Sequence, residues 1–217
     1  MDKNRYLLVD TEIVGGFGNP LVYDVGLAVV DSTGKIEFTK SFAISDIFYG
    51  LPALMNTAYI AKKISPYFEE IRNGERDVVT IEYTQSYIEY IIKTYNIRAI
   101  VSYNMPFDYR ALNNTLTYVK GKKSRFFGEI RLWCLLKMVR QTVGKQKTYI
   151  KWCNKHGFIT KNGQPSLTVE TLCRYIARDP DYKEKHTGIS DIFDEIKIFS
   201  WVQRQHKAMN RDYLPRD

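Results

Sequence analysis

Tyr6-Leu7-Leu8-Val9-Asp10-Thr11-Glu12 is an apolar run that ends in two acids one residue apart. The run reads as a strand, and side chains two apart on a strand share a face. Asp10 and Glu12 therefore project together, while Leu7 and Val9 face the other way. Two crowded carboxylates repel, and one must keep a proton unless a divalent cation lies between them. A D-x-E pair is also what an ordinary solvated strand end looks like, so its meaning depends on what the rest of the chain brings to it.

Working outward, Leu21 to Asp31 and Ile36 to Phe42 read as second and third strands, joined by the turn Ser32-Thr33-Gly34-Lys35. Ala53 to Ile71 reads as a helix that Pro66 should break or kink. Tyr87, Ile88, Ile91, Ile92 and Tyr95 recur at helical spacing within Thr80 to Tyr95. Arg98 to Tyr103 is a fourth strand, followed by a helix opening near Pro106, where proline suits the first turn. Phe126 to Arg140, Lys147 to His156 (closed by Gly157) and Thr168 to Arg178 read as helices. Asn162-Gly163 marks a hairpin within Phe158 to Ser166. Ile189, Ile192, Phe193, Ile196, Phe199 and Val202 form the apolar stripe of a final helix, on which Asp194 and Glu195 read as polar-face residues. Three early strands followed by helices around a later one indicate a mixed α/β sheet.

The totals fit one domain: 217 residues, 44% hydrophobic and 26% charged, which excludes a disordered chain. There is no bilayer-length apolar run, and the short apolar stretch near Met1 is not a signal peptide, so the reading is a cytoplasmic protein without a membrane partner. Cys134, Cys153 and Cys173 are sparse and odd in number, as expected of reduced thiols. Cys153-x-x-His156 lacks two further ligands at zinc spacing. The net charge of +8 is uneven: from Lys120 to Lys161, twelve Lys or Arg face one acid, Glu129, giving +11 locally and −3 elsewhere. Such asymmetry points to a polyanionic partner, although solvated helix faces would look the same.

Two further acids join the first pair. Asp108 closes Asn104-Met105-Pro106-Phe107-Asp108, directly after the fourth strand, where the helix dipole alone would favour an acid. Asp191 closes His186-Thr187-Gly188-Ile189-Ser190-Asp191 at the start of the last helix. In this order, D-x-E, N-x-x-F-D and H-x-x-x-x-D resemble the three motifs of the DnaQ-like DEDDh 3′–5′ exonucleases of the RNase H-like superfamily. Asp10 to Gly15, Tyr23 to Val29 and Leu167 to Cys173 are similar to that family's first loop, second strand and helix before the third motif. The chain departs from the pattern at Ile13 and Val14, where two threonines are frequent, and at Gly188, where alanine is usual.

The resemblance implies an RNase H-like five-stranded mixed sheet flanked by helices, occupying residues 1–217, with a basic helical and hairpin insertion at about 115–165 before the third motif. It implies that Asp10, Glu12, Asp108 and Asp191 hold two Mg²⁺ or Mn²⁺ ions and that His186 is the general base toward the attacking water. Thr11, Ile13, Val14, Gly15, Asn104 and Phe107 would contact or support the terminal nucleotide. Lys120, Lys122, Lys123 and Arg125 are candidate phosphate contacts. Gly15-Gly16-Phe17-Gly18 lacks the G-K-[ST] ending of a P-loop and reads as a loop at the rim of the site. Trp133, Trp152 and Trp201 read as core anchors.

The implied activity is stepwise release of nucleoside 5′-monophosphates from single-stranded DNA 3′ ends, in a bacterial or phage-infected cell, with a DNA polymerase or replication protein as a possible partner. An RNase trimming RNA 3′ ends would use the same residues. A non-catalytic binding or polymerase-accessory module would tend to lose acids that are all present here, and a hydrolase of small phosphate compounds would leave the +11 segment without a purpose.

Overall fold

The computed structural model describes residues 4–16, 18–56, 58, 64–184, 187–205 and 207–215. Its centre is a seven-stranded mixed sheet among the described residues, ordered β4-β3-β2-β1-β5-β6-β7. β1 (Arg5–Val14), β2 (Leu21–Asp31) and β3 (Ile36–Ile44) form an antiparallel meander, and β5 (Ile97–Ser102) pairs parallel to β1. Four of these, β1, β2, β3 and β5, are read as strands from the sequence, and the resemblance implies five; the others are the short strands β4 (Asp77–Val79), β6 (Leu132–Cys134) and β7 (Asp212–Tyr213), of which β4 and β7 are the sheet's edges. Two or three residues are too few to show a period of two, so these strands exist only through their neighbours' free edges.

Helices cover both faces. α1 (Ser45–Phe48), α2 (Pro52–Met55), α3 (Ile64–Arg72), α4 (Ile81–Thr94) and α5 (Met105–Lys120) precede β6 (Leu132–Cys134). α6 (Leu135–Gln141), α7 (Lys147–His156), α8 (Val169–Ala177) and α9 (Gly188–Gln203) follow it. Strand alternation splits the core: Leu7 and Val9 pack with Ile88, Ile91 and Leu112 on one face, and Tyr6 and Leu8 pack with Met138, Leu172 and Phe199 on the other. The second face is the one to which Asp10 and Glu12 belong by parity.

The sequence-based helix over Phe126 to Arg140 is corrected. Leu132-Trp133-Cys134 is buried and pairs parallel to β5, and the helix starts at Leu135. A short, fully buried apolar run carries no periodicity that separates strand from helix. Within the expected helix at Ala53 to Ile71, the described residues form α2 and α3, with Pro66 in the first turn of α3. The Asn162-Gly163 hairpin is a tight turn, with Gly163 at φ +72° and a lone bridge between Ile159 and Pro165. Trp133 is buried, and Trp152 and Trp201 pack against the same core. All three cysteines are free and buried. No described helix is long and apolar enough to cross a membrane.

Candidate active site

The site is built at the carboxyl ends of β1 and β5, where a twisted sheet splays and leaves room for a ligand. β1 delivers Asp10 and Glu12, both half-buried, on the α9 side of the sheet. α9 brings Asp191 in its first turn, where the helix dipole favours an acid. Oxygens of Asp10, Glu12 and Asp191 lie within 4.8 Å of one another. Asp108 comes from the first turn of α5 and is held from two sides: Thr11 Oγ1 donates to its Oδ1 at 2.8 Å, and the Ser102 hydroxyl donates to its Oδ2.

Local sequence explains why α9 starts where it does. Thr187 caps it, accepting from the Ser190 N–H at 3.4 Å, and the Ser190 side chain completes a capping box. Gly188 donates its N–H to Asp24 Oδ2 at 3.0 Å. Gly26, paired with Asp10 across the β1–β2 ladder, lets the helix come down onto the sheet: a Cβ there would lie 2.2 Å from the Gly188 carbonyl oxygen. A Cβ on Gly188 would in turn meet the Gly26 nitrogen at 2.9 Å and Asp24 Oδ2 at 3.2 Å. The glycine found where alanine is usual is therefore the residue this contact requires.

The electrostatics are dominated by burial and by the nearness of other acids. Burial first, then Glu195, Asp108, Glu12 and Asp191, hold the Asp10 carboxyl well above its ordinary range. Burial, followed by Asp191 and Asp24, pushes Glu12 up to about 8. Burial raises Asp108 to about 6 even though its two hydroxyl donors favour the charged form. Glu184, just before α9, is pushed to about 8 by burial and then by Asp191. A site of this kind fits a hard divalent cation, since the donors are all carboxylate oxygens and a positive ion would relieve every one of these penalties.

The reading of Glu195 as a polar-face residue is corrected: it is 1% exposed, and its Oε1 accepts from the Tyr103 N–H at 3.2 Å. Asp194 is also buried, bound by the Tyr182 hydroxyl and by Lys197 Nζ at 2.8 Å. The spacing carried a signal, because Glu195 stands four residues after Asp191 and so on the same helical face.

The other candidates divide. Thr11 and Val14 are buried, the first donating to Asp108 and the second packed in the core. Ile13 is half-buried against the same core; Gly15 and Gly16 are exposed with φ of +80° and +70°. Asn104 is exposed at the N-terminus of α5, and Phe107 is half-buried with the Arg110 guanidinium 5.7 Å from its ring centroid. A cleft of about 880 Å³ opens beside Asn104, not over the carboxylates, lined by Lys137, Arg140 and Leu214 among others. Lys120, Lys122, Lys123 and Arg125 are exposed around the far end of α5. Lys120 follows Asp108 by twelve residues, about 18 Å along the helix, and its Nζ is 3.5 Å from Glu82. His186 and Phe17 lie outside the described residues. Cys153 is buried and His156 packs on Trp152, so this pair gathers no metal site among the described residues.

No protein-family model and no curated protein sequence matches the chain. Solved structures do. The zinc-bound complex of Escherichia coli exonuclease I with single-stranded DNA superposes with a TM-score of 0.61 at 16% identity, covering 94% of this chain and 41% of that one. A product-bound exonuclease I gives a TM-score of 0.60 at 17% identity, covering 90% and 42%. A complex of E. coli exonuclease I with a 5cy-dT13 oligonucleotide gives 0.61 at 15%, covering 94% and 41%. The chain thus spans about two fifths of the exonuclease I chains it matches, and its fold is the exonuclease I-like form of the RNase H-like α/β architecture.

Proposed function

We propose that this chain is a divalent-metal-dependent 3′–5′ exonuclease that shortens single-stranded DNA and releases nucleoside 5′-monophosphates. The observation that carries the reading is the convergence of Asp10, Glu12 and Asp191 oxygens within 4.8 Å at the carboxyl end of a sheet of this fold. The complex of E. coli exonuclease I with single-stranded DNA supports the choice of polymer.

In this reading Asp10, Glu12, Asp108 and Asp191 hold two Mg²⁺ or Mn²⁺ ions. Bound there, the cations would neutralise phosphate charge and raise the acidity of the attacking water. Thr11 and Ser102 fix the Asp108 carboxylate, so its direction is set before substrate arrives. His186, next to the cap of α9, accepts the proton as water attacks phosphorus and the bond to the 3′ oxygen breaks. Ile13, Gly15, Asn104 and Phe107 border the terminal nucleotide, and Lys120, Lys122, Lys123 and Arg125 meet phosphates of a longer strand. A polymerase or another replication protein would deliver such ends.

The test is a time course on 3′- and 5′-labelled single-stranded DNA and matched RNA with Mg²⁺, Mn²⁺ or EDTA. The expected result is a ladder shortening from the 3′ end that EDTA abolishes. Asp10→Ala and His186→Ala should each lower the rate by about 10³-fold, the scale of losing one preorganised electrostatic group. Intact DNA and RNA after incubation with folded wild-type protein would sink the reading; faster loss of RNA would reassign the polymer.

A further inference from the structure

The cleft of about 880 Å³ opens next to the candidate site rather than over it, and sheet order explains the placement. β1, β5 and β6 are parallel neighbours, so all three hand their next residues to one edge of the sheet. β1 brings Asp10 and Glu12, and β5 leads through Tyr103 and Asn104 into α5. β6 leads directly into α6, whose Leu136 N–H donates to the Tyr103 carbonyl at 2.8 Å. Two strand spacings, about 10 Å, separate β1 from β6. A single strand with bases stacked about 3.4 Å apart covers that in about three nucleotides.

The other wall of the cleft is the C-terminal segment, and it is held in place. Gln141 of α6 donates its Nε2 to the Asn210 carbonyl at 3.1 Å and accepts the Asn210 N–H at 3.0 Å. Lys137 Nζ donates to the Asp212 carbonyl at 3.0 Å, and the Tyr213 ring packs edge-on against Tyr109 of α5 at 5.7 Å. Lys137 and Arg140 stand three apart on α6 and so share a face. Lys137 keeps two N–H donors after its bond to Asp212. Arg140 is exposed and forms no ion pair among the described residues. The helix dipole alone would favour Arg140 in the last turn of α6, but it does not explain a fixed second wall facing it. Leu214, 81% exposed, and Pro215 give that wall an apolar edge, and Asp212 is the one acid of the lining against two cations.

We propose that this cleft seats the single-stranded DNA behind its 3′ end. Arg140 and the remaining donors of Lys137 hold a phosphate about three nucleotides upstream of the cleaved bond, and Leu214 and Pro215 support a base. The proposal rests on the exonuclease reading above and adds to it a subsite nearer the acids than Lys120 to Arg125.

The experiment measures binding of 5′-labelled dT8 by fluorescence anisotropy over a range of salt, with Ca²⁺ replacing Mg²⁺ and gels confirming that the DNA stays whole. Unlabelled dT2, too short to reach the cleft, is measured by competition. Wild type, Arg140→Gln and Lys161→Gln are compared, with circular dichroism confirming the fold of each. Lys161 is exposed in the hairpin turn away from the cleft, so its loss changes the net charge equally. Arg140→Gln should weaken dT8 by about 10-fold, the scale of one hydrogen-bonded charge contact. It should also reduce the slope of log Kd against log salt by about 0.7, as expected for one phosphate contact fewer on a single strand. Its affinity for dT2 should change less than about 2-fold, and Lys161→Gln should keep the wild-type dT8 affinity and slope. Wild-type dT8 affinity and slope in Arg140→Gln, or equal losses in Arg140→Gln and Lys161→Gln, would overturn the subsite. If the wild-type protein still shortens DNA from its 3′ end, the exonuclease reading survives that result. A wild-type protein that neither binds nor cleaves single-stranded DNA would overturn both.

Discussion

Asp24 and Asp10 sit on adjacent strands, near enough that Asp24 is the ladder partner of Glu12, yet the fold treats the two acids in opposite ways. Asp24 is wholly enclosed and fully satisfied: Arg76 Nη1 and the Tyr67 hydroxyl, at 2.7 Å, hold it, together with the Gly188 N–H. Arg76, 1% exposed, also binds Glu70 through Nε at 2.8 Å and lies 4.2 Å from the Tyr67 ring centroid. Asp10 and Glu195 have acids as their principal charged neighbours. The difference separates structure from function. Asp24 is matched with a cation and donors, whereas Asp10 and Glu195 lie chiefly among other acids. Asp24 also couples the two regions, since its third donor is the residue that opens α9.

The largest effect expected comes from undoing the match. Arg76→Met leaves Asp24 buried beside Glu12 with no cation, which should cost about 3–5 kcal/mol. Urea unfolding measures it, and a loss below about 1 kcal/mol would mean that Asp24 is neutral and its pairing with Arg76 incidental. The double variant Asp24→Leu/Arg76→Met should recover much of the loss, because burying matched apolar groups there removes the orphaned charge.

A smaller effect should follow from pushing the two regions apart without touching a charge. Gly26→Ala places a methyl 2.2 Å from the Gly188 carbonyl oxygen, backbone against backbone, so α9 must shift. The expected cost is about 1–3 kcal/mol, with a loss of Mn²⁺ affinity as Asp191 moves away from Asp10. Gly128→Ala, which meets nothing within 4 Å, is the control and should be neutral. Unchanged stability and Mn²⁺ binding in Gly26→Ala would show that the contact does not set the position of α9.

Much of this was legible in the chain itself. The alternation in β1 placed Asp10 and Glu12 on one face and Leu7 and Val9 on the other, and the two clusters of the core follow that division. The order of the acids reported the fold, because Asp10 and Glu12 sit in the second half of β1 and Asp108 and Asp191 in the first turns of α5 and α9, where position follows from local signals. What could not be read depended on contacts between distant residues. Leu132 to Cys134 is a strand only because β5 offers it an edge. Arg76 is buried only because Asp24, 52 residues away, waits inside. The bond from the Thr11 hydroxyl to Asp108, 97 residues later, is another such contact. Glu195 lay between these cases: its helical face was readable, but its burial against Tyr103 was not.

The subtlest contrast between matched and unmatched acids is in how stability responds to pH. Glu12, pushed from 4.5 to about 8 chiefly by burial, is protonated more readily in the folded chain than in the unfolded one. A group raised in this way contributes stability that is complete below its unfolded value and is lost as pH climbs through the folded one. Between pH 5 and pH 8, the melting temperature of cation-free protein should therefore fall, and Glu12→Gln should flatten that fall by a few degrees. Mg²⁺ or Mn²⁺ should raise the melting temperature at pH 8 and do little at pH 5, because protons and cations compete for the same oxygens. Calorimetric scans with EDTA and with excess cation at the two pH values make the comparison. Equal slopes for wild type and Glu12→Gln in EDTA would mean that Glu12 is compensated much as Asp24 is, and the distinction between the two regions would then rest on Asp10 and Glu195 alone.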